Sequence, residues 1–335
     1  MALYAQASHK REVIKAREYQ IRPNTGQDQT VALQKVIRKI QAINHPVTLV
    51  FEPGQYDFYY KTATQAPYYI SNTSGKEELD TEVKTIAILL KDIKGLTIEG
   101  NGALFMLHGK MTSLVADNCR DLTIHNLQFD YARPTMSEFT LTAVTNDYID
   151  VKVNPDSWYR IKDSILYWYG ENWDGEKTPP RLFTCVYTPV DSALHFVNAG
   201  WKRLTQAKRA AEIGENKVRF YQNKHTGDKL GGAVGDVYTV RDITRDEVGL
   251  FLLQSKNIRL DNVQMHFMHG LGIVSQFCTN LHFNHLRCAP RSQTDRICAS
   301  TADMAHFSGC NGKITVENSF LAAHMMIRSI SMVPI

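Results

Sequence analysis

Five segments of this chain repeat one short pattern, and that repetition constrains its fold more than any other feature. Lys94 to Asn101 reads K-G-L-T-I-E-G-N, Arg120 to Leu127 reads R-D-L-T-I-H-N-L, and Lys256 to Val263 reads K-N-I-R-L-D-N-V. Thr279 to Leu286 and Gly312 to Ser319 complete the set with T-N-L-H-F-N-H-L and G-K-I-T-V-E-N-S. Each is a polar turn, then apolar and polar residues in alternation, then a bend residue, usually Asn or Gly. Period-2 alternation makes a strand with one face inward. Leu96 to Leu122 is 26 residues, Ile258 to Leu281 is 23 and Leu281 to Ile314 is 33. One such unit cannot bury its apolar face alone, so the units must stack. The expected fold is all-β, a parallel β-helix, with the recurring Asn forming a ladder from coil to coil.

The start of the chain fits that plan. Val31, Leu33, Val36, Ile37 and Ile40 make a helical stripe, with Asp28 or Thr30 as the N-cap. A β-branched run, Val47 to Phe51, follows and ends at Pro53-Gly54. An amphipathic helix at this place covers the open end of the stack. Residues 22–134 are therefore read as cap and first coils, 248–323 as later coils, and 1–21 as an N-terminal segment. In that segment Ala5-Gln6-Ala7 fits the end of a clipped signal peptide and implies export of a parent protein. Residues 135–247 break the pattern. Their alternating stretches and aromatic clusters read as a small inserted β-domain, its aromatics as core. Trp173, in a polar loop, has the alternative of a sugar-stacking platform.

Composition excludes several classes. The net charge is +4, without a dense basic block, so nucleic-acid binding is not expected. The basic run from Trp201 to Glu212 reads as a solvated face. No apolar run approaches ~20 residues, so no membrane-spanning helix is expected. The six cysteines form no C-x-x-C pair, which argues against structural zinc and for buried free thiols. No metal or cofactor is expected.

The chemistry is expected in the stretch Cys298 to Phe320. Asp303 sits in the apolar context A-D-M-A, where an unpaired carboxylate is costly. His266 or His269, Arg296, Asp303 and His306 are expected to share one side of the stack, a set that suits sugar binding and acid/base work. Asp295-Arg296 reads alternatively as a surface pair. His266, His282 and His285 read as structural residues of the turns.

The N-terminal module G-x-D-x-T-x-A, helix, V-x-F-x-P-G-x-Y resembles the cap of right-handed parallel β-helix proteins of the pectate-lyase type. A narrower resemblance rests on D-Y-A-R-P (130–134), on H-x-x-H-G-x-G-x-x-S-Q from His266 to Gln276, on R-C-A-P-R (287–291), and above all on S-T-A-D-M-A-H-F-S-G-C-N-G-K-I-T-V-E-N-S-F. Through these the chain is similar to glycoside hydrolase family 110, over residues 22–324 and the N-terminal half of such an enzyme. The resemblance implies release of terminal α-1,3-linked galactose from group B-type glycans, with inversion, by carboxylates and without metal. The partner would be an oligosaccharide or glycoconjugate. Asp303 would be catalytic, with His269, Arg296 and His306 binding substrate. It further implies an Asp-Asp pair on the next coil, within H-D-D-P-I-N-x-H-G-T.

Here the chain departs from the family pattern. From His324 to Ile335 it reads H-M-M-I-R-S-I-S-M-V-P-I, without an aspartate. Back-translation and a shift of two bases turns this segment into H-D-D-P-I-N-I-H-G-T. Residues 324–335 are accordingly read as an out-of-frame tail. The expectation is an inactive fragment with an uncapped C-terminal edge and poor solubility. The competing expectations are a non-catalytic carbohydrate-binding β-helix and a pectin-type lyase. The clustered acidic Ca²⁺ ligands that a lyase needs are not found.

Overall fold

A computed structural model describes residues 11–73, 82–174, 184–190, 193–196, 209–221, 232–241, 244–322 and 330–333. The protein is mostly β, with one α-helix, Thr30–Gln41, among the described residues. Two parallel sheets are visited alternately. The first runs Glu12–Lys15, Val47–Val50, Leu96–His108, Arg120–Tyr131, Lys256–Met265, Thr279–Asn284 and Asn311–Glu317. The second runs from Val83–Lys91 through Thr112–Asp117, Val248–Leu253, Leu271–Gln276 and Ala305–Ser308 to Ile330–Val333. Thr64–Pro67 pairs antiparallel at its outer edge. Each passage through both sheets is a rung, and the repeated segments lie in register on successive rungs. Ile98 pairs with Ile124, Leu260 with Ile124 and with Phe283, and Phe283 with Val316.

The corners of each rung require left-handed backbone. Asn101, Asn126, Asn262 and Asn318 all take positive φ, between 49° and 53°. Asn tolerates this region better than other non-Gly residues. The ladder forms where expected: Asn262 donates to Asn126 at 2.6 Å and Asn318 to Asn284 at 2.9 Å. One rung differs. His285 holds the left-handed corner, and Asn284 donates instead to Asp261.

Inward-facing residues fill the space between the sheets. Phe51, Tyr56, Phe105 and Phe129 meet edge to face, with centroids 5.0–5.8 Å apart. The helix closes one end of this core through Leu33, Val36, Ile37 and Ile40. The N-cap is Gln29, not Asp28 or Thr30 as expected: Thr30 opens the helix, and Asp28, one residue before the cap, accepts the Thr30 N–H at 2.9 Å. Val31 departs from the expected stripe and is 43% exposed, because its position rotates off the buried face.

Between Ala132 and Glu247 the chain leaves the rungs. It forms an antiparallel sheet in the order Ala193–Phe196, Thr184–Thr188, Val237–Arg241, Met136–Val144, Tyr148–Val153, Lys217–Tyr221, Arg209–Gly214. Trp158–Lys162 and Ile165–Gly170 make a hairpin extended by Trp173–Asp174. Trp173 is not a free platform: it packs on this unit's core and lies against Gly170. The tail residues 323–329 and 334–335 and the run 201–208 lie outside the described residues.

Buried charges tie this unit to the rungs. His108 bridges Asp57 at 3.1 Å and Glu171 at 3.0 Å. Burial pulls its pKa down, but the two carboxylates outweigh that and raise it to about 9. Glu247, at the return to the rungs, accepts from Thr85 N and Thr112 Oγ1. Burial and the nearby Asp246 raise its pKa from 4.5 to about 8. The folded state therefore binds the Glu247 proton more tightly than the unfolded chain. Its contribution to stability is complete below pH 4.5 and is lost as pH rises through about 8. Glu247→Gln keeps both hydrogen bonds and removes the titration. The parent should lose on the order of a few kcal/mol more than this variant between pH 5 and 8, read from urea midpoints across that range. Parallel pH profiles would contradict the assignment.

Candidate active site

The turns that lead from the first sheet to the second carry most of the buried charge. Asp130 ends one strand of the first sheet and is fully buried. Arg296 Nη2 donates to both of its oxygens, at 2.9 and 2.7 Å, and Arg291 Nε donates to Oδ2 at 2.6 Å. Arg296 Nε also lies 3.4 Å from Asp156 of the inserted unit. Two guanidinium groups on one carboxylate offset the desolvation of all three.

Arg296 is thus not half of a surface pair with Asp295. Asp295 occupies a left-handed turn with φ 53°, which sends Arg296 inward, where its side chain is 2% exposed.

Asp303 lies further along the same connection, 8% exposed, between buried Ala302 and Met304. His306 Nδ1 is 3.6 Å from its Oδ2. The loop that carries Asp303 is pinned from several sides. The Asp303 carbonyl accepts from Gly272 N at 2.6 Å and from Ser300 Oγ at 3.3 Å. Thr301 Oγ1 donates to Gly270 O, and Arg241 donates to Thr301 O. Glu138 accepts the N–H groups of Ile297 and Cys298, both at 2.9 Å. Burial raises the Glu138 pKa to about 7, although those two N–H groups pull it down. The root of the inserted unit therefore holds the loop that positions Asp303.

Glycine permits that close approach. A Cβ at Gly272 would stand 2.4 Å from the Met304 carbonyl oxygen, which is backbone and cannot yield cheaply. Gly272→Ala should destabilise the fold by about 1–3 kcal/mol through overpacking, seen as a lower thermal midpoint. An unchanged midpoint would show that the rungs separate freely here.

Of the four residues expected to act together, two are shown in contact. Asp303 and His306 are adjacent. His269 is 1% exposed, packed edge-on to Tyr131 and Phe267 and bonded to Thr135. Its Nε2 faces the Gly109 backbone without reaching hydrogen-bond geometry. Burial lowers its pKa well below the ordinary value, so the ring is neutral. His269 at 1% and Arg296 at 8% are buried, and so is His306 at 3%, so burial does not separate the three residues expected to bind substrate. Arg296 Nη1 and His306 Nδ1 are buried without a hydrogen-bond partner, which is uncommon outside functional sites. His266 is structural, as expected, bonded to Ala289 O and Gln128.

Asp130, Glu138, Asp156 and Arg291 were not singled out as site residues from sequence. Asp130 did carry a signal, a carboxylate between Phe129 and Tyr131 at the end of an alternating strand. Among the described residues no group of His, Cys, Asp and Glu could hold a metal ion. Nor, among the described residues, is any helix long and apolar enough to cross a membrane.

Comparison with known proteins bears on the same elements. A family model described as GLAA-B beta-barrel domain I matches residues 137–234, within the inserted unit. Alpha-1,3-galactosidase A of Bacteroides fragilis strain YCH46 is 42% identical over 269 residues, covering 80% of this chain and 43% of that protein. Alpha-1,3-galactosidase A of Akkermansia muciniphila is 34% identical over 281 residues, 83% of this chain and 45% of its own length. Alpha-1,3-galactosidase B of Bacteroides thetaiotaomicron is 31% identical over 316 residues, covering 94% and 49%. The chain spans about half the length of the curated relatives it matches.

Proposed function

Because this chain belongs with the α-1,3-galactosidases of glycoside hydrolase family 110 in sequence, over about half of their length, we propose that its rungs carry one wall of a galactosidase site. The substrate is a terminal α-1,3-linked galactose of a group B-type glycan, cleaved with inversion. The winding that presents the site is read as a right-handed parallel β-helix.

One observation carries the reading: Asp303 is a nearly buried carboxylate, held by a pinned loop and placed beside His306. Inversion needs two carboxyl groups, one to protonate the leaving oxygen and one to activate water. They stand roughly 6.5–9.5 Å apart so that the water fits. Asp303 supplies one of them. The other belongs on the following rung, where residues 324–326 read His-Met-Met. His306 touches the reacting region, while Arg296 and His269 hold the wall from behind.

The polypeptide as it stands is proposed to be inactive, since one carboxylate cannot be both acid and base in a single inverting step. The test compares it, on group B trisaccharide, with a frame-restored chain in which His324 is followed by D-D-P-I-N-I-H-G-T. Galactose release by the frame-restored chain alone is the expected outcome. Release by the present chain would refute the inactivity. The missing carboxylate in residues 324–335 favours a second reading, a non-catalytic glycan binder. Retained trisaccharide binding, with no release from either chain, would select it.

A further inference from the structure

One corner column, on the side where the second sheet passes to the first, reads Cys119, Ser255, Cys278 and Cys310 on successive rungs. Gln276 pairs with Ser308 on one side of the last two thiols, and Thr279 pairs with Asn311 on the other. Backbone hydrogen bonds fix the same register, from Phe277 N to Ser308 O and from Asn311 N to Cys278 O, both at 2.9 Å. Cys278 therefore lies directly under Cys310. Stacked strands are about 4.7–4.9 Å apart, which falls within the Cα separations of about 4.4–6.8 Å that a disulfide spans. Each thiol points the same way along the column, Cys278 Sγ donating to Leu252 O at 3.2 Å and Cys310 Sγ to Ser275 O at 3.3 Å. Ser255 separates Cys119 from this pair and bonds the Cys119 N–H instead.

We propose that Cys278 and Cys310 form an oxidisable thiol pair, a disulfide site that joins two adjacent rungs. The two members are not equivalent. Cys278 is fully buried and Cys310 is partly exposed. The Cys278 thiol beside it lowers the Cys310 pKa to about 7. Cys310 is therefore the thiolate that meets an incoming oxidant. With a small-molecule disulfide such as oxidised glutathione, Cys310 sulfur attacks one glutathione sulfur and expels the other half as thiolate. Cys278 then loses its proton to solvent, attacks Cys310 sulfur and expels the second glutathione thiolate. Two electrons pass from the protein thiols to the glutathione disulfide. The new bond ties the rung that carries His269 and Gly272 to the rung that carries Asp303.

The test treats the folded chain with oxidised glutathione, blocks the remaining thiols with iodoacetamide, and maps peptides under non-reducing conditions. A Cys278–Cys310 cross-linked peptide is expected, with Cys119 recovered as a free thiol after unfolding. Cys278→Ser should stop at a stable glutathione adduct on Cys310, and Cys310→Ser should leave Cys278 unmodified. A glutathione adduct persisting on Cys310 in the parent chain, beside a free Cys278, would overturn the proposal. So would a parent chain in which neither thiol reacts.

Discussion

Replacing Asp130 with alanine is expected to destabilise the fold by about 3–5 kcal/mol, the usual effect of removing one partner of a buried ion pair. Arg296, whose side chain is 2% exposed, would keep its charge with Asp156, at 3.4 Å, as its remaining ion-pair partner among the described residues. Arg291 would lose its 2.6 Å contact as well. The effect should also spread beyond the immediate site. Residues 291–296 lead directly into the backbone that Glu138 holds at Ile297 and Cys298. Urea unfolding of the parent and the variant measures the loss. A variant within about 1 kcal/mol of the parent would place Asp130 among ordinary surface pairs, against its full burial.

Asp303→Asn should have the opposite profile. In the frame-restored chain it is expected to lower galactose release by about 10²–10⁴-fold, the range attributed to a positioned acid or base. The thermal midpoint should stay close to that of the parent. Asn has the shape of Asp, and the substitution leaves in place the hydrogen bonds that the Asp303 carbonyl accepts from Gly272 N and Ser300 Oγ. Initial rates and a melting curve on the same preparation separate the two effects. Loss of activity together with loss of the fold would make Asp303 a structural residue.

The contrast between Asp130 and Asp303 also shows what could be read from sequence. Local patterns were legible. The alternation of Leu96-Thr97-Ile98 and its repeats set which residues face inward, and the recurring Asn marked the left-handed corners. His285 and Phe277 were not legible as corner residues. Both take positive φ, Phe277 with a side chain that seldom does so and His285 where the other rungs use Asn, and the stacking register places them there. Val31 matched the apolar period yet faces solvent, because periodicity cannot say where a stripe ends.

The charge cluster was hidden for a different reason. Asp130 meets Arg291 and Arg296 across separations of 161 and 166 residues, most of them in the inserted unit. Sequence gave both halves, D-Y-A-R-P and R-C-A-P-R, but not their contact. Arg296 was expected on the site side of the stack, with a surface pair beside Asp295 as the alternative, and the left-handed turn at Asp295 excludes that alternative. Asp303, by contrast, stood out by its local context, since a carboxylate between Ala302 and Met304 requires a reason to be there, and by its place in the motif shared with the family.

The most direct test of the central claim, that Asp303 is one of two carboxyl groups in an inverting site, is the anomer first released. Proton NMR of the frame-restored chain acting on group B trisaccharide resolves it before mutarotation. The account predicts β-galactose as the first product, and none from the Asp303→Asn variant. α-Galactose appearing first, or release undiminished by Asp303→Asn, would contradict it.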